Sequence, residues 1–456
     1  MVQVEIISTE ELGDRSYLAH DGTDAIVVDP QRDLDRVFQA LEDKGLRCAM
    51  VVETHIHNDY VSGGHTLASQ LGVDHLGSAA DHVAFDRRGV KDGDQLAVGT
   101  MTLRVLATPG HTDTHLAYVI EDGHGAPAVF TGGSLLYGSV GRTDLVESER
   151  TTELTHAQYH SVHRLAELLP DETRVYPTHG FGSFCSSGAA TGGQDSTIGT
   201  ERRSNDALTE ADEDAFVRRL VTGLTAYPRY YTHMDARNRQ GPDPIDLSPP
   251  RPVDPAELGR KIATGEWVVD LRDRTAYALQ HLTGTIGIAL GTQFATYLGW
   301  LIPWGSPVTL IGDTAEQVAD AQRQLARIGI DRPAGAATGQ PAELAPARRL
   351  GCYPSASFDD LAERTEAGEF ADDHKSVLDV RRGDERTDGA VTGSVHIPLQ
   401  DLLERIDEAP AGQLWVHCAS GYRASIAASL LDRAGRDVVL LDDNYDRAVE
   451  LGLTTS

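Results

Sequence analysis

The 456-residue chain carries 69 acidic against 40 basic side chains, a formal net charge of −29, and 40% of its residues are hydrophobic. That length exceeds one ordinary core and predicts two or three domains; that charge disfavours nucleic acid and anionic membrane surfaces as partners. No run of 18 apolar residues is present, and Met1-Val2-Gln3-Val4-Glu5 is not a basic segment followed by an apolar one, so neither a membrane span nor a secretory signal is expected.

Ala25 to Val28 reads as a buried strand ended by Asp29-Pro30, and Leu34, Val37, Phe38 and Leu41 have helical spacing. A second apolar run, Ala49 to Val52, leads into Glu53-Thr-His55-Ile-His57-Asn-Asp59-Tyr60-Val-Ser-Gly-Gly64. The carboxyl end of a strand is where open α/β layers place their chemistry. In a strand-like His-x-His both imidazoles fall on one side, and neutral imidazoles on one side suit a borderline metal such as zinc or iron(II). The alternative is a turn with incidental histidines. Leu67 to Leu71 continues as a helix, and residues 94–106 show strand patterns. Histidines then recur after strands. His111 and His115 lie in Thr108-Pro-Gly-His-Thr-Asp-Thr-His, and His179 follows Arg174-Val175-Tyr176 through Pro177-Thr178. Between them, Ala128-Val129-Phe130 leads into Thr131-Gly132-Gly133-Ser134 and on to Gly141-Arg142-Thr143-Asp144. Scattered ligands that converge through the fold are typical of a metal site.

The series His55, His57, Asp59, His111 and His179 resembles the metallo-β-lactamase superfamily, over residues 1–245. Within it the chain is similar to glyoxalase II and the persulfide dioxygenases, through Gly141-Arg142-Thr143-Asp144-Leu145 and Ser196-Thr197-Ile198-Gly199-Thr200-Glu201-Arg202. The resemblance implies a four-layer αββα fold. There are two departures. Binuclear members carry a histidine after the aspartate and a bridging aspartate after the Thr-Gly pair, where this chain has Tyr60 and Gly133. A second metal would keep only Asp59 and His179, too few for a tight site. A persulfide dioxygenase holds one Fe(II) by two histidines and a carboxylate, leaving positions open for oxygen and thiolate. By resemblance His55 and His111 fill two of these places, and glycine at 133 cannot fill the third. Three outcomes stay open: His57 completes a three-histidine site, water fills the gap, or the site is inactive. On this reading Asp59 and His179 orient ligands and the bound thiol from outside the metal's coordination, and Tyr60 donates a hydrogen bond there. His115 supports or packs. Cys185 either relays sulfur or is simply a small buried residue.

Ser186 to Gly193 is small and flexible and is expected to cover the site, whereas Asn238 to Pro252 reads as a linker. From 253 the pattern resets into a weak repeat. Val268-Val-Asp270-Leu-Arg272 is echoed by Val377-Leu-Asp379-Val-Arg381, and His281-Leu-Thr-Gly284 by Ala390-Val-Thr-Gly393. Strand–helix alternation in each copy implies a parallel sheet. The reading is therefore an α/β multidomain chain with domains at 1–245, 253–345 and 354–456, the last two joined through 335–354. In the final copy an apolar strand, Trp415 to His417, delivers Cys418 to a loop that opens a helix. Loop amides and the helix N-terminus favour a thiolate and cradle an anion. Ala419, Ser420, Gly421 and Tyr422 form that loop, and Arg423 closes it. This copy resembles the rhodanese sulfurtransferases. Four residues separate Cys418 from Arg423, where cysteine phosphatases of the same architecture have five, and the smaller ring suits a persulfide sulfur. The earlier copy has Gly312-Asp313-Thr314 at the matching place and no cysteine, like an inactive rhodanese serving as a spacer or docking surface.

The domain order resembles the fused persulfide dioxygenase–sulfurtransferases of bacterial sulfide detoxification. That implies a low-molecular-weight thiol persulfide, O2, sulfite and thiosulfate as partners, iron as cofactor with zinc as the alternative, and Cys418 as sulfur carrier. A homo-oligomer is compatible. Two rivals remain: a mononuclear zinc thioester hydrolase in the manner of glyoxalase II, and a rhodanese attached to an inactive metal-site scaffold. The four cysteines, Cys48, Cys185, Cys352 and Cys418, form no paired framework and fit a reducing cytoplasm. The acidic surface, whose only lysines are Lys44, Lys91, Lys261 and Lys375, fits a salty cytoplasm, and a GC-rich genome explains it equally.

Overall fold

A computed structural model describes residues 2–188, 193, 195–344, 349–370 and 374–455. The chain divides into two compact units, Met1–Asp246 with Leu325–Asp331, and Leu247–Gln324 with Arg332–Ser456.

The first unit is built on two six-stranded sheets. One runs β1 (Gln3–Thr9), β2 (Asp14–His20), β3 (Asp24–Val28), β4 (Arg47–Val52), β5 (Asp74–Ser78) and β6 (Arg88–Val90) in spatial order. The other runs β7 (Gln95–Val98), β8 (Met101–Ala107), β9 (Leu116–Glu121), β10 (Ala128–Gly132), β11 (Arg174–Pro177) and β12 (Ser196–Thr197). Alternation along the strands divides their apolar side chains between two faces. Tyr17, Ile26, Val28, Met50 and Val52 of the first sheet share one cluster with Leu103, Val105, Tyr118 and Phe130 of the second, which is the core between the sheets. The opposite face of the first sheet, with Leu18, Val27 and Val51, is covered by α1 (Asp35–Lys44) and α2 (Gly64–Leu71). The outer face of the second, with Leu106, Val119 and Val129, is covered by α3 (Thr151–Leu168) and the helix Glu213–Gly223. The order is helix, sheet, sheet, helix, the four-layer arrangement the resemblance implies. The carboxyl ends of β4, β10 and β11 carry His55 and His57, the Gly132–Gly133 pair, and His179, and His111 follows β8.

The second unit contains two parallel sheets. In the first, the strands lie in the order Ile286–Gly287, Trp267–Asp270, Val308–Gly312 and Gly335–Thr338. In the second they lie in the order Ser355–Ala356, Asp437–Leu441, Gln413–His417, Lys375–Asp379 and Val395–His396. The sequence repeat is a structural repeat. Arg272 forks onto Asp270 at 2.7 Å and donates to the Gln280 carbonyl at 2.8 Å. Arg381 does the same with Asp379 at 2.7 Å and the Gly389 carbonyl at 2.8 Å.

Two expectations change. Gly335–Thr338, expected in a joining segment, is a strand of the first parallel sheet, and of that segment residues 345–348 lie outside the described residues. Asn238, expected to open a linker, lies inside the helix Tyr231–Gln240 and is buried. Of the loop Ser186 to Gly193 expected over the site, residues 189–192 lie outside the described residues. Among the described residues no helix is long and apolar enough to cross a membrane.

Candidate functional site

The histidine loop after β4 is not a strand, yet it sets His55 and His57 on one side, with ring centroids 4.2 Å apart. Three clamps hold it. Asp29, at the end of β3 with φ +49°, accepts from the Thr54 amide and the Thr54 hydroxyl, both at 2.7 Å, and from the Thr178 hydroxyl beside His179. One buried carboxylate thus ties the ligand loops of both sheets together. Burial disfavours that charge, but His57 and these donors outweigh it and hold Asp29 below the ordinary carboxylate range. Asn238 donates to the carbonyls of His57 at 2.8 Å and Tyr60 at 2.9 Å and accepts from the Ser62 amide at 2.9 Å. Tyr118 donates to the Glu53 carbonyl at 2.8 Å.

Each of three buried histidines turns one nitrogen outward to an oxygen and the other inward. His111 Nδ1–H donates to the Arg142 carbonyl at 2.7 Å, and its Nε2 has no partner. The Thr54 hydroxyl gives its own proton to Asp29, so at 2.9 Å it accepts from His55 Nδ1–H. His179 Nδ1–H lies between Asp14 Oδ1 at 2.9 Å and Asp59 Oδ2 at 3.0 Å. Its Nε2 stands 3.3 Å from His55 Nε2. On the neutral His55 and His111 rings the outward bonds fix which nitrogen keeps a lone pair, and on His179 they hold one proton at Nδ1, so that a metal would displace the proton at Nε2. Burial holds His55 well below the usual imidazole range and pushes His111 down to about 3. Burial opposes a charge on His179 too, but the carboxylates of Asp59 and Asp14 outweigh it and raise the imidazole to about 10.

Among the described residues two groups bring potential metal-binding atoms within 4.8 Å of one another: His55, His111 and His179, and His57, Asp59 and His179. This differs from the expected trio of His55, His57 and His111. His179, expected outside the ligand set, belongs to both groups. His57 sides with Asp59 because its Nε2 faces the hydroxyl of Tyr60 at 3.0 Å, and the Tyr60 ring stacks on it at 4.3 Å. That leaves His57 Nδ1 unpartnered, as is Asp59 Oδ1. Such orphaned buried atoms are costly unless something binds them. This donor set of imidazoles and carboxylate therefore fits a metal ion.

Gly133 is as informative as the ligands. A Cβ built there would fall on the His111 ring, and one built at Gly141 would meet the Gly133 carbonyl and His111 Nδ1. The imidazole occupies the space a side chain at 133 would need, and Gly141 lets it reach the Arg142 carbonyl. His115 uses both nitrogens on the protein, Nδ1 against the Thr108 hydroxyl at 2.9 Å and Nε2 accepting from the Gly133 amide at 3.0 Å. Cys185 is wholly buried, and burial with the nearby Asp59 and Asp14 carboxylates pushes its thiol well up. Asp14, Asp29 and Asn238 escape sequence reasoning; the one available signal, the Asp29-Pro30 pair, reads as a strand end.

In the second unit the strand Gln413–His417 delivers buried Cys418 to the loop Ala419-Ser420-Gly421, and the helix Tyr422–Arg433 begins directly after it. Gly421 has φ +86°, a conformation that favours glycine. The loop is pinned by the Tyr445 amide, which donates to the Ala419 carbonyl at 2.9 Å. Arg423, expected to close the loop, is buried beside it. Its guanidinium forks onto Glu385, with Nη2 at 2.7 Å from Oε1, so its charge is already matched.

Residues 12–179 match the metallo-beta-lactamase superfamily, and residues 357–449 match the rhodanese-like domain. The chain is 32% identical over 205 residues to persulfide dioxygenase ETHE1, mitochondrial, of Homo sapiens, which covers 44% of this chain and 72% of that one. The chain belongs to the metallo-beta-lactamase superfamily. A second superfamily relative, a hydroxyacylglutathione hydrolase of Cereibacter sphaeroides, is 32% identical over 192 residues, covering 41% of this chain and 71% of that one. The solved metallo-beta-lactamase structure from Staphylococcus aureus subsp. aureus COL aligns with a TM-score of 0.67 at 27% identity, covering 74% of this chain and 99% of that chain. Superfamily membership, the persulfide dioxygenase relatives and the rhodanese-like domain together make this an enzyme with a role in sulfur metabolism.

Proposed function

We propose that the first unit oxidises a low-molecular-weight thiol persulfide with O2 to sulfite, and that Cys418 carries sulfane sulfur between thiols and sulfite. One observation carries the first half. His179 has a single nitrogen left, because Asp14 and Asp59 engage the other. The two ligand groups that share it are therefore alternatives, which favours a single metal ion over two. A single site with open positions suits oxidation of a bound thiol better than a two-metal clamp.

His55, His111 and His179 would hold Fe(II). When bound, iron supplies the redox activation of O2 that zinc lacks. The chain's own groups do the rest. Asp14 and Asp59 hold the His179 proton at Nδ1, Thr54 and Arg142 fix the other two rings, and burial excludes bulk water. The overall reaction, RSSH + O2 + H2O → RSH + SO3²⁻ + 2H⁺, balances without a further reductant. At the second centre, Cys418 sulfur attacks the outer sulfur of a donor persulfide and expels RS⁻. Sulfite then takes that outer sulfur as thiosulfate and frees the Cys418 thiolate. The cysteine-less copy reads as a second rhodanese-like module.

A mononuclear zinc thioester hydrolase is the second reading, and the all-imidazole group favours it, because three histidines are also a catalytic zinc set. The test is O2 uptake by anaerobically purified, iron-loaded protein given glutathione persulfide. Uptake that scales with iron, yields sulfite and survives Cys418→Ser supports the oxidation, while loss of thiosulfate formation in that variant supports the carrier role. Absence of uptake at full iron occupancy with several thiol persulfides rejects the oxidation, and acyl-glutathione hydrolysis by the zinc form would select the second reading.

A further inference from the structure

The helix that follows the Cys418 loop is buried on every side. Ile426, Ala427, Ala428, Leu430 and Leu431 are all at most 2% exposed. A helix needs two neighbours to lose all its solvent faces. One is its own sheet. The other is the cysteine-less copy, whose Gly287 carbonyl accepts from the Ser429 hydroxyl at 3.4 Å. The same copy holds the helix's far end, where His281 Nε2 faces Asp432 Oδ2 at 3.1 Å.

Two contacts from that copy reach the loop itself. Tyr422, directly after Gly421, donates its hydroxyl to the Ala289 carbonyl at 2.7 Å. Arg274 Nε sits 2.7 Å from Asp442 Oδ1. That carboxylate oxygen is what a Cβ at Gly421 would strike, so the loop glycine lies directly on it. Tyr297 of the cysteine-less copy stands beside the pair, its ring 5.8 Å from Tyr422 and 6.0 Å from Trp300. Burial pushes the Tyr297 phenol up against the pull of Arg423 and Arg382.

We propose that the cysteine-less copy is a brace for the sulfur-carrier loop, with Arg274 acting through Asp442 on Gly421 and the Ala289 carbonyl acting through Tyr422. Both are positioning contacts. They stop the loop from relaxing at its two pivots, the left-handed Gly421 and the first residue of the helix. The amides then keep the direction in which they stabilise charge on the transferring sulfur. The proposal rests on the carrier role of Cys418 and goes beyond it. It accounts for an expendable-looking copy that lacks the cysteine.

The test uses the full chain, thiosulfate as the sulfur donor, and two variants, Arg274→Ala and Tyr422→Phe. Cys418 thiolate attacks the outer sulfur of thiosulfate, releasing sulfite and leaving a Cys418 persulfide that intact-mass analysis detects. Loading at saturating thiosulfate is expected to slow about tenfold in each variant, with the half-saturating concentration changing less than about twofold. Arg274→Lys is expected to restore most of the rate. Amide hydrogen exchange over residues 418–425 should quicken in both variants, and melting temperature should hold. Unchanged loading together with unchanged exchange overturns the brace, and so does slowed loading without faster exchange. Tyr422→Phe removes a single hydroxyl and keeps the test open should Arg274→Ala fail to fold. Failure of the wild-type protein to load would reject the carrier reading, and the exchange measurement would still decide the brace.

Discussion

Asn238 shows how much one side chain can decide. Its amide satisfies two loop carbonyls and one loop amide at once, between the residues that present His57 and Asp59. Asn238→Ala would leave all three buried groups unpaired. A buried unsatisfied group costs about 1–3 kcal/mol, and partial relaxation brings the expected loss to about 3 kcal/mol. A urea titration of the metal-free protein checks it, with metal content as a second readout. Loss of metal affinity without loss of stability would mean that the amide positions the ligands and does not hold the loop. At the same scale, the Gly133 position shows that a missing carboxylate and an imidazole are two sides of one fact, since the His111 ring stands where the side chain would be.

At the scale of an element, the strand Gln413–His417 brings a titrating group into the core just before Cys418. His417 is fully buried between Phe358, at 5.7 Å, and Tyr445, at 5.8 Å. Burial penalises its charged form and lowers it from 6.5 to about 4, despite the nearby Asp379 carboxylate. The unfolded chain takes up this proton as pH falls below about 6.5, and the folded chain does so only near 4. Stability is therefore complete above 6.5 and is lost as pH falls toward 4, by up to about 3 kcal/mol. Urea midpoints of the wild type should fall more steeply between pH 7 and pH 4.5 than those of His417→Gln. Parallel slopes would show that other groups carry the acid sensitivity.

At the scale of the whole molecule the net charge of −29 sets a general expectation. Raising ionic strength from about 0.01 M to about 1 M shortens the screening length from about 30 Å to about 3 Å. Self-repulsion among carboxylates then fades, and melting temperature should climb with added potassium chloride. A flat or falling curve would mean that ion pairs such as Arg447–Asp359, at 2.6 Å, offset the repulsion and are themselves screened.

The four layers were implied by the superfamily resemblance, and the sequence by itself determined the repeat and the placement of the chemistry. Those features rest on local periodicity: buried strands that end in histidines, a strand–loop–helix around Cys418, and two Asp-x-Arg pairs that fold alike. The tertiary structure alone decided which histidines meet. Asp14 reaches His179 across 165 positions, Asn238 reaches His57 across 181, and Tyr422 reaches Ala289 across 133. No periodic pattern encodes a pairing at such separations, because hydrogen bonds between distant residues depend on how sheets stack and not on which face a residue occupies. For that reason His179 sits with both groups of potential ligands, Arg423 turns to Glu385, and the copy without its cysteine touches the helix of the one that has it.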